Sequence, residues 1–287
     1  MLRWILAIIT ILIIFHALIV IIFNFMINPH EPSVFTKIFP YQFIYNLIFS
    51  KTKPNGARFS IRVDINGSKE NVKKHNHGVL ELIKTANRYS IPITFSIVAD
   101  FLPALSDDVI EMIDEGDHEV ISHGLNHDDI TEQDQLTSIK KSKELLESKF
   151  DQKIVGFIGS RGKHDPSTLK AAKTSGIKFL SSGYLPYLRY WSFPSPFKKK
   201  MVWLLGGSIK SDYQLYEEEN ITPEEAIKIW KDAIDFRAKR GWYTQLEYHN
   251  FSTSEEKLKA LEEFFKYIQE KENLKPITQS ELIKEVG

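Results

Sequence analysis

The stretch EGDHEVISHGLNHDDIT (residues 115–131) contains a short apolar strand candidate, HEVISH (118–123), directly before a loop with a second histidine. Helix-like patterns flank this strand, near residues 107–115 before it and 131–149 after it. Short strands that alternate with helices are typical of parallel α/β folds, in which each helix crosses back over the sheet. The stretch therefore predicts one strand of a parallel sheet, with histidines at its carboxyl end.

The same alternation continues over most of the chain after residue 56. Further strand candidates are FSIRVDI (59–65), ITFSIVA (93–99), IVGFIG (154–159), IKFLSS (177–182), VWLLGG (202–207) and YTQLEYH (243–249). Further helix candidates lie near residues 70–89, 166–175, 222–240 and 254–272. Helix start signals are found at Asp165-Pro166, at Thr222-Pro223 and at Ser254. Seven strands that alternate with helices predict a parallel α/β architecture, either a barrel or an open sheet.

Polar side chains collect where several of these strands end. They are Asp64 and Asn66, His123 and His127, Ser160 and Arg161, and His249. The carboxyl ends of parallel strands meet at one edge of a sheet, and functional groups gather there. The sequence therefore predicts a single site at this edge.

His123 and His127 are the strongest metal-ligand candidates in the chain. Neutral imidazole is the commonest zinc ligand, and two histidines with one oxygen ligand leave a fourth position for water. Two histidines at this spacing also occur by chance on surfaces and at helix caps. The strand context and the other strand-end residues favour the metal interpretation.

Asp64 and His249 each have two interpretations at this stage. A carboxylate at the end of FSIRVDI can bind a metal or act as a general base, whereas an aspartate before Asn66-Gly67 can also simply form a turn. His249 ends the last strand candidate, where it could protonate a leaving amine or serve as a buried structural residue. Neither residue identifies a reaction by itself.

Composition limits the partners and the chemistry. Lys+Arg and Asp+Glu are equal at 37 each, so no net positive field attracts phosphate backbones, and nucleic acid is not an expected partner. The chain has no cysteine, which excludes disulfides, thiolate metal sites and cysteine nucleophiles.

The first residues predict a membrane anchor. WILAIITILIIFHALIVIIFNFM (4–26) is long and apolar enough to cross a bilayer as a helix, and it lacks the small residues of a signal-peptide cleavage site. Arg3 precedes it, so the positive-inside rule places the N-terminus in the cytoplasm and the rest outside the cell. We expect an anchor over residues 1–28, a linker or interfacial segment over 29–56 and a catalytic domain over 57–287.

Five segments together resemble one known family. GDHEVISHGLNH and PITFSIVADFL are similar to its histidine motif and a preceding strand, and GFIGSRGKHDPSTLKAAKTSGIKFLSS is similar in pattern to its third segment. KSDYQLY and LEYHN resemble its last two motifs. On these residues the chain resembles the polysaccharide deacetylases of carbohydrate esterase family 4 (the NodB-homology domain) over about residues 57–285. The resemblance implies a distorted (β/α) barrel.

The resemblance also implies roles for particular residues. The predicted metal ligands are His123 and His127 with Asp64 or Asn66, and the predicted catalytic residues are Asp64 as base, His249 as acid, Asp212 as the partner of His249, and Arg161. Tyr213 would line the sugar groove. The implied reaction is hydrolysis of N- or O-acetyl groups on a cell-surface glycan with a divalent metal, zinc being the expected ion.

Two positions depart from the family pattern. The first motif usually has two acidic residues, but here Asp64-Ile65-Asn66 contains only one carboxylate. Either Asn66 offers a neutral oxygen to the metal, or Asp64 is itself the ligand and the base is missing or comes from elsewhere. The arginine of the third motif aligns with Ile158, and Arg161 is the nearest replacement along the sequence. The alternative hypothesis is therefore a catalytically degenerate protein that acts as a glycan-binding or membrane-tethered scaffold.

Overall fold

The structure is a computed structural model that describes residues 56–132, 134–181, 197–199, 202–205 and 208–287. The predicted membrane anchor (4–26) and nearly all of the segment that follows it lie outside the described residues. Within the described ranges, no helix is both long and apolar enough to cross a bilayer.

The described residues form one sheet with helices packed around it. Its strands are β1 (Ala57–Ile65), β2 (Ile93–Ile97), β3 (Glu119–Ser122), β4 (Gly156–Phe157), β5 (Phe179–Leu180), β6 (Phe197–Lys199), β7 (Val202–Leu204), β8 (Tyr243–His249) and β9 (Leu274–Pro276). The α-helices are α1 (Lys69–Arg88), α2 (Asp107–Glu115), α3 (Gln135–Lys149), α4 (Pro166–Thr174), α5 (Pro223–Ala238), α6 (Glu255–Gln269) and α7 (Gln279–Val286).

The sheet is a curled, mostly parallel half-barrel, which agrees with the predicted distorted (β/α) barrel. Its strand order is β6-β7-β5-β4-β3-β2-β1-β8, and β9 pairs with the start of β1. All pairs are parallel except β6 with β7. After β7, Ser208 forms a parallel bridge to Gln245, and the Ile209 N–H donates to the Gln245 carbonyl at 2.9 Å. This contact brings the far side of the sheet against the outer edge of β8.

Strand β1 has one apolar face and one polar face. Phe59 packs against Phe264 of α6, with ring centroids 5.8 Å apart. The alternate residues Ser60, Arg62 and Asp64 face the barrel interior, where the Ser60 hydroxyl lies 2.6 Å from the Tyr243 hydroxyl of β8. Successive side chains of a strand point to opposite faces, so the apolar positions bind the helix layer and the polar positions line the barrel.

The predicted helix starts are confirmed for α4 and α5, and each has a complete capping box. Asp165 exchanges hydrogen bonds with Thr168, and Thr222 does so with Glu225. Helix α3 begins at Gln135, four residues later than predicted, because the Asp134 side chain accepts the Thr137 N–H and caps the helix there. The short strands β6 and β9 and the separate helix α7 were not predicted.

A buried carboxylate ties α7 to the amino end of the sheet. Glu119 Oε2 accepts hydrogen bonds from Thr94 Oγ1 at 2.9 Å, from the Gln279 N–H at 3.0 Å and from the Ser280 N–H at 3.2 Å. Burial raises the pKa of Glu119, and these donors act in the opposite direction. An acceptor at a helix N-terminus satisfies N–H groups that have no partner within the helix. Glu119 is therefore a structural residue at the end of the barrel opposite the predicted site.

We expect Glu119→Ala to lower the free energy of unfolding by about 2–3 kcal/mol, because it leaves buried helix N–H groups without an acceptor. Chemical denaturation of the full chain measures this change. Glu115→Ala, which removes an exposed carboxylate at the end of α2, is the matched control and should leave stability within about 0.5 kcal/mol. Equal stability of the two variants would contradict the anchoring role.

Candidate active site

The carboxyl ends of β1, β3 and β8 open into one cleft of about 1250 Å³. The predicted site residues that line it are Asp64, Asn66, His123, His127, Arg161, Tyr213 and His249. The register of β1 against β8 places Asp64 beside His249 and Arg62 beside Glu247. Residues that are far apart in the sequence thus meet at the predicted edge of the sheet.

Arg62 is fully buried under the cleft and uses all of its donors. Its Nε and Nη2 donate to the two oxygens of Asp64 at 2.7 and 2.9 Å, and Nη2 also lies 2.5 Å from Glu247 Oε2. Nη1 donates to the carbonyl and the hydroxyl oxygen of Ser181 at 2.9 and 3.1 Å. A guanidinium has five N–H donors in a planar fork, so these five acceptors satisfy it completely.

This ion pair controls the ionisation of Asp64. Burial alone would raise the pKa of this carboxyl, but Arg62, with smaller contributions from His123 and His249, lowers the pKa to about 2. Asp64 is therefore an anion at any physiological pH and a weak proton acceptor. Asp64 thus has the charge of a cation ligand.

His123 and His127 lie side by side with their ring centroids 5.0 Å apart. His123 Nδ1 lies 3.2 Å from the Ile158 carbonyl oxygen, which selects the tautomer with the proton on Nδ1 and leaves the Nε2 lone pair facing Asp64 Oδ2 at 4.0 Å. Burial lowers the pKa of His123 to about 4 and also lowers the pKa of His127. Both rings are thus neutral, which is the form that binds metals.

His249 has the opposite protonation state. Its Nδ1 lies 2.7 Å from Asp212 Oδ1, and its backbone N–H donates to Asp212 Oδ2 at 3.1 Å. Burial opposes the charge of the ring, but Asp212, followed by Glu247 and Asp64, raises the pKa of His249 to about 9. The predicted partnership of Asp212 with His249 is present in the structure. His249 is therefore an imidazolium that can donate a proton into the cleft.

Two charged residues of this site were missed in the sequence. Arg62 precedes Asp64 by two residues, and Glu247 precedes His249 by two residues, so each shares the inward face of its strand with a predicted residue. Parallel strands covered on both faces are usually apolar throughout. The presence of charged residues at alternate positions of β1 and β8 is the signal that could have identified Arg62 and Glu247 in the sequence.

Arg161 lines the cleft, but a different arginine holds Asp64. Arg161 lies in the turn after β4, where its backbone has a φ of 56°. Among the described residues, the guanidinium that holds Asp64 is that of Arg62, two residues earlier on the same strand, and Arg161 makes no ion pair with this carboxylate. The role expected for Arg161 in place of the third-motif arginine stays a prediction.

Asn66 and Tyr213 keep their predicted places at the cleft. Asn66 is buried, and its backbone N–H donates to Asn250 Oδ1 at 3.2 Å. Tyr213 is 44% exposed, and its ring centroid lies 6.0 Å from that of His249. The Phe251 ring stacks on the His249 ring at 4.9 Å and lies 6.4 Å from the Tyr213 ring. Two aromatic rings beside the acid form a surface on which a sugar ring could stack.

A comparison with protein families agrees with this geometry. The family model for polysaccharide deacetylase matches residues 68–180, a range that contains both His123 and His127. No curated protein matches the sequence significantly. The match and the solved structures that share the fold support a domain of the polysaccharide deacetylase type.

Solved structures share this fold at low sequence identity. A putative polysaccharide deacetylase from Mycobacterium smegmatis has 16% identity and a TM-score of 0.70, over 82% of this chain and 94% of that one. The Puue allantoinase has 15% identity and a TM-score of 0.67, over 90% and 92%. A pseudoenzyme of the CE4 family from Bacillus anthracis has 13% identity and a TM-score of 0.54, over 81% and 67%. At these identities, the likeness establishes the fold.

The Asp212–His249 pair gives a pH-dependent prediction. Because the pKa of His249 is raised, the pair contributes stability that is complete below pH about 6.5 and is lost as pH rises through about 9. We expect Asp212→Asn to move the His249 titration, followed by NMR, down toward its ordinary range. The titration of His118, at the opposite end of the barrel, is the internal control. An unchanged His249 titration would contradict the assignment of Asp212.

Proposed function

We propose that this protein hydrolyses acetyl groups on a glycan with the help of a divalent metal ion, for which zinc is the expected ion. The observation that carries the proposal is the meeting of an anionic Asp64, two neutral histidines and a protonated His249 in one cleft. An acid with a raised pKa beside neutral metal ligands is the combination that acyl transfer from an amine or alcohol requires.

The residues fit a metal at the histidine pair. The His123 hydrogen bond to the Ile158 carbonyl orients its Nε2 toward Asp64, as ligand histidines are usually oriented. Among the described residues, the group whose ligand atoms all lie within 4.8 Å of one another is Asp64, Glu247 and His249, and the histidine pair is not part of it. However, Asp212 keeps the His249 ring protonated, and a protonated imidazole has no lone pair to offer a metal, so this second group is the poorer cation site. We therefore assign the metal to His123, His127 and Asp64, with Asn66 as a further oxygen ligand.

When bound, the metal would polarise the acetyl carbonyl and a water molecule. The remaining steps belong to the residues of the chain. His249 donates the proton on Nε2 to the departing amine or alkoxide, while Asp212 holds the ring by Nδ1 and stabilises its charge. Tyr213 and Phe251 lie together beside His249 and provide the surfaces against which the sugar packs.

The structure bears on the alternative of a degenerate binding protein. The fold does occur in a pseudoenzyme, and Asn66 and Ile158 remain departures from the family pattern. Two features favour turnover. Arg62 provides the guanidinium that residue 158 lacks, and Glu247 adds a second carboxylate to the cleft. We therefore propose an active enzyme.

We expect His123→Ala and His127→Ala each to lower the metal content severely and to abolish acetate release from acetylated glucosamine oligomers. The reason is that the loss of one protein ligand leaves an open, weak metal site. Elemental analysis and an acetate assay measure the two effects. His77→Ala, on α1, is the matched control and should leave both unchanged. Full metal content in both site variants would overturn the metal assignment.

We also propose that residues 4–26 anchor the protein in the cell membrane, with the domain outside. The support is the apolar length of this segment and the single Arg3 before it. An acetylated cell-surface glycan is the substrate class that such a location would give access to.

For this location, we expect the full chain to fractionate with membranes and protease added to intact cells to digest the domain. Immunoblotting against the C-terminal residues measures both results. Protection of the domain until the cells are lysed would reverse the topology and place the substrate inside.

A further inference from the structure

Glu247 occupies a position in the cleft that neither the motifs nor the comparisons assign. Its Oε2 lies 2.5 Å from Arg62 Nη2, while its Oε1 faces His249 Nε2 at 3.7 Å. The second distance is too long for a direct hydrogen bond, but a water molecule or a substrate atom could bridge it. The side chain is 27% exposed, so the carboxylate is accessible from the cleft.

Asp64 is less suited than Glu247 to accept a proton. Both Asp64 oxygens accept hydrogen bonds from Arg62, and its side chain is only 4% exposed. Glu247 gives one oxygen to Arg62 and keeps the other beside the acid. The two carboxylates therefore differ in geometry, because Glu247 has an oxygen that Arg62 does not hold and that lies beside the acid.

We propose that Glu247 is the general base of this site and that it returns its proton to His249. In this sequence, Glu247 Oε1 takes a proton from water as the water oxygen bonds to the acetyl carbon. His249 then gives its Nε2 proton to the leaving nitrogen or oxygen as the bond from that atom to carbon breaks. Proton transfer from Glu247 to His249 finally restores both residues, and the products are acetic acid and the free amine or alcohol.

Arg62 acts here as a positioning residue. Parallel pairing of β1 with β8 places Arg62 directly beside Glu247, and the five hydrogen-bond acceptors around the guanidinium hold it in one orientation. Because the same guanidinium also grips Asp64, it holds both carboxylates at fixed places. It thereby keeps the base on the acid's side of the cleft.

The test uses the full chain with its metal and acetylated glucosamine oligomers. The inference rests on the proposed function, so the native chain must release acetate. We expect Glu247→Gln to lower kcat about a hundredfold or more while KM and metal content stay near native values, which is the range for loss of a general base. Glu247→Asp keeps a carboxylate and should keep more activity than Glu247→Gln. Glu217→Gln, an exposed carboxylate that does not line the cleft, is the matched control and should match the native rate.

Two further measurements separate a base from a structural residue. Added formate should restore part of the activity of Glu247→Ala, because a small carboxylate can fill the space and accept the proton. With p-nitrophenyl acetate, whose leaving group needs no proton, His249→Ala should stay active while Glu247→Gln should not.

The outcomes distinguish this inference from the proposed function. If the native chain releases acetate and Glu247→Gln has the native rate, the assignment of Glu247 as the base is overturned while the proposed function stands. Loss of metal in Glu247→Gln would make Glu247 a ligand and also overturn the base. If formate does not restore activity to a folded Glu247→Ala chain, the assignment of Glu247 as the base is also overturned. No acetate release by the native chain would overturn both conclusions.

Discussion

The site depends on one buried guanidinium. Arg62 lies at the base of the cleft with its five donors distributed over Asp64, Glu247 and Ser181. A buried charge without partners is very unfavourable, and a buried carboxylate is no less so. The buried arginine and the buried Asp64 therefore require each other, and the partly exposed Glu247 adds a second carboxylate to the pair. Since they come from the paired strands β1 and β8, the same contact also fixes the register of these strands at the site.

Around this ion pair, the histidines acquire opposite protonation states from their surroundings. His123 is buried beside a backbone carbonyl, and burial keeps it neutral. His249 is almost as buried, but its direct bond to Asp212 keeps it charged. Identical side chains thus differ in charge according to their hydrogen-bond partners. In the proposed mechanism, the neutral His123 would bind the cation and the charged His249 would deliver the proton within one cleft.

Most of the fold could be predicted from the sequence, because its strands and helices have strong local signals. The seven predicted strands are all present, and the capping boxes before α4 and α5 fixed where those helices begin. Strands β6 and β9 were missed because their sequences, FKK and LKP, are rich in lysine or contain proline and do not form an apolar run. The sequence also left open whether the sheet forms a barrel or stays open. The bridge that joins its two sides pairs Gln245 of β8 with Ser208, a residue outside every predicted strand.

The sequence by itself determined which strand ends are polar, and hence that Asp64, His123 and His249 belong to one edge of a parallel sheet. Period-two alternation and chain direction are local properties, so they can be read from the sequence. Only the tertiary structure decided that Arg62 rather than Arg161 holds Asp64 and that Glu247 joins the site. Arg62 meets Asp64 within β1, but its contact with Glu247 depends on the register between β1 and β8, which lie almost two hundred residues apart, and no local pattern specifies that register.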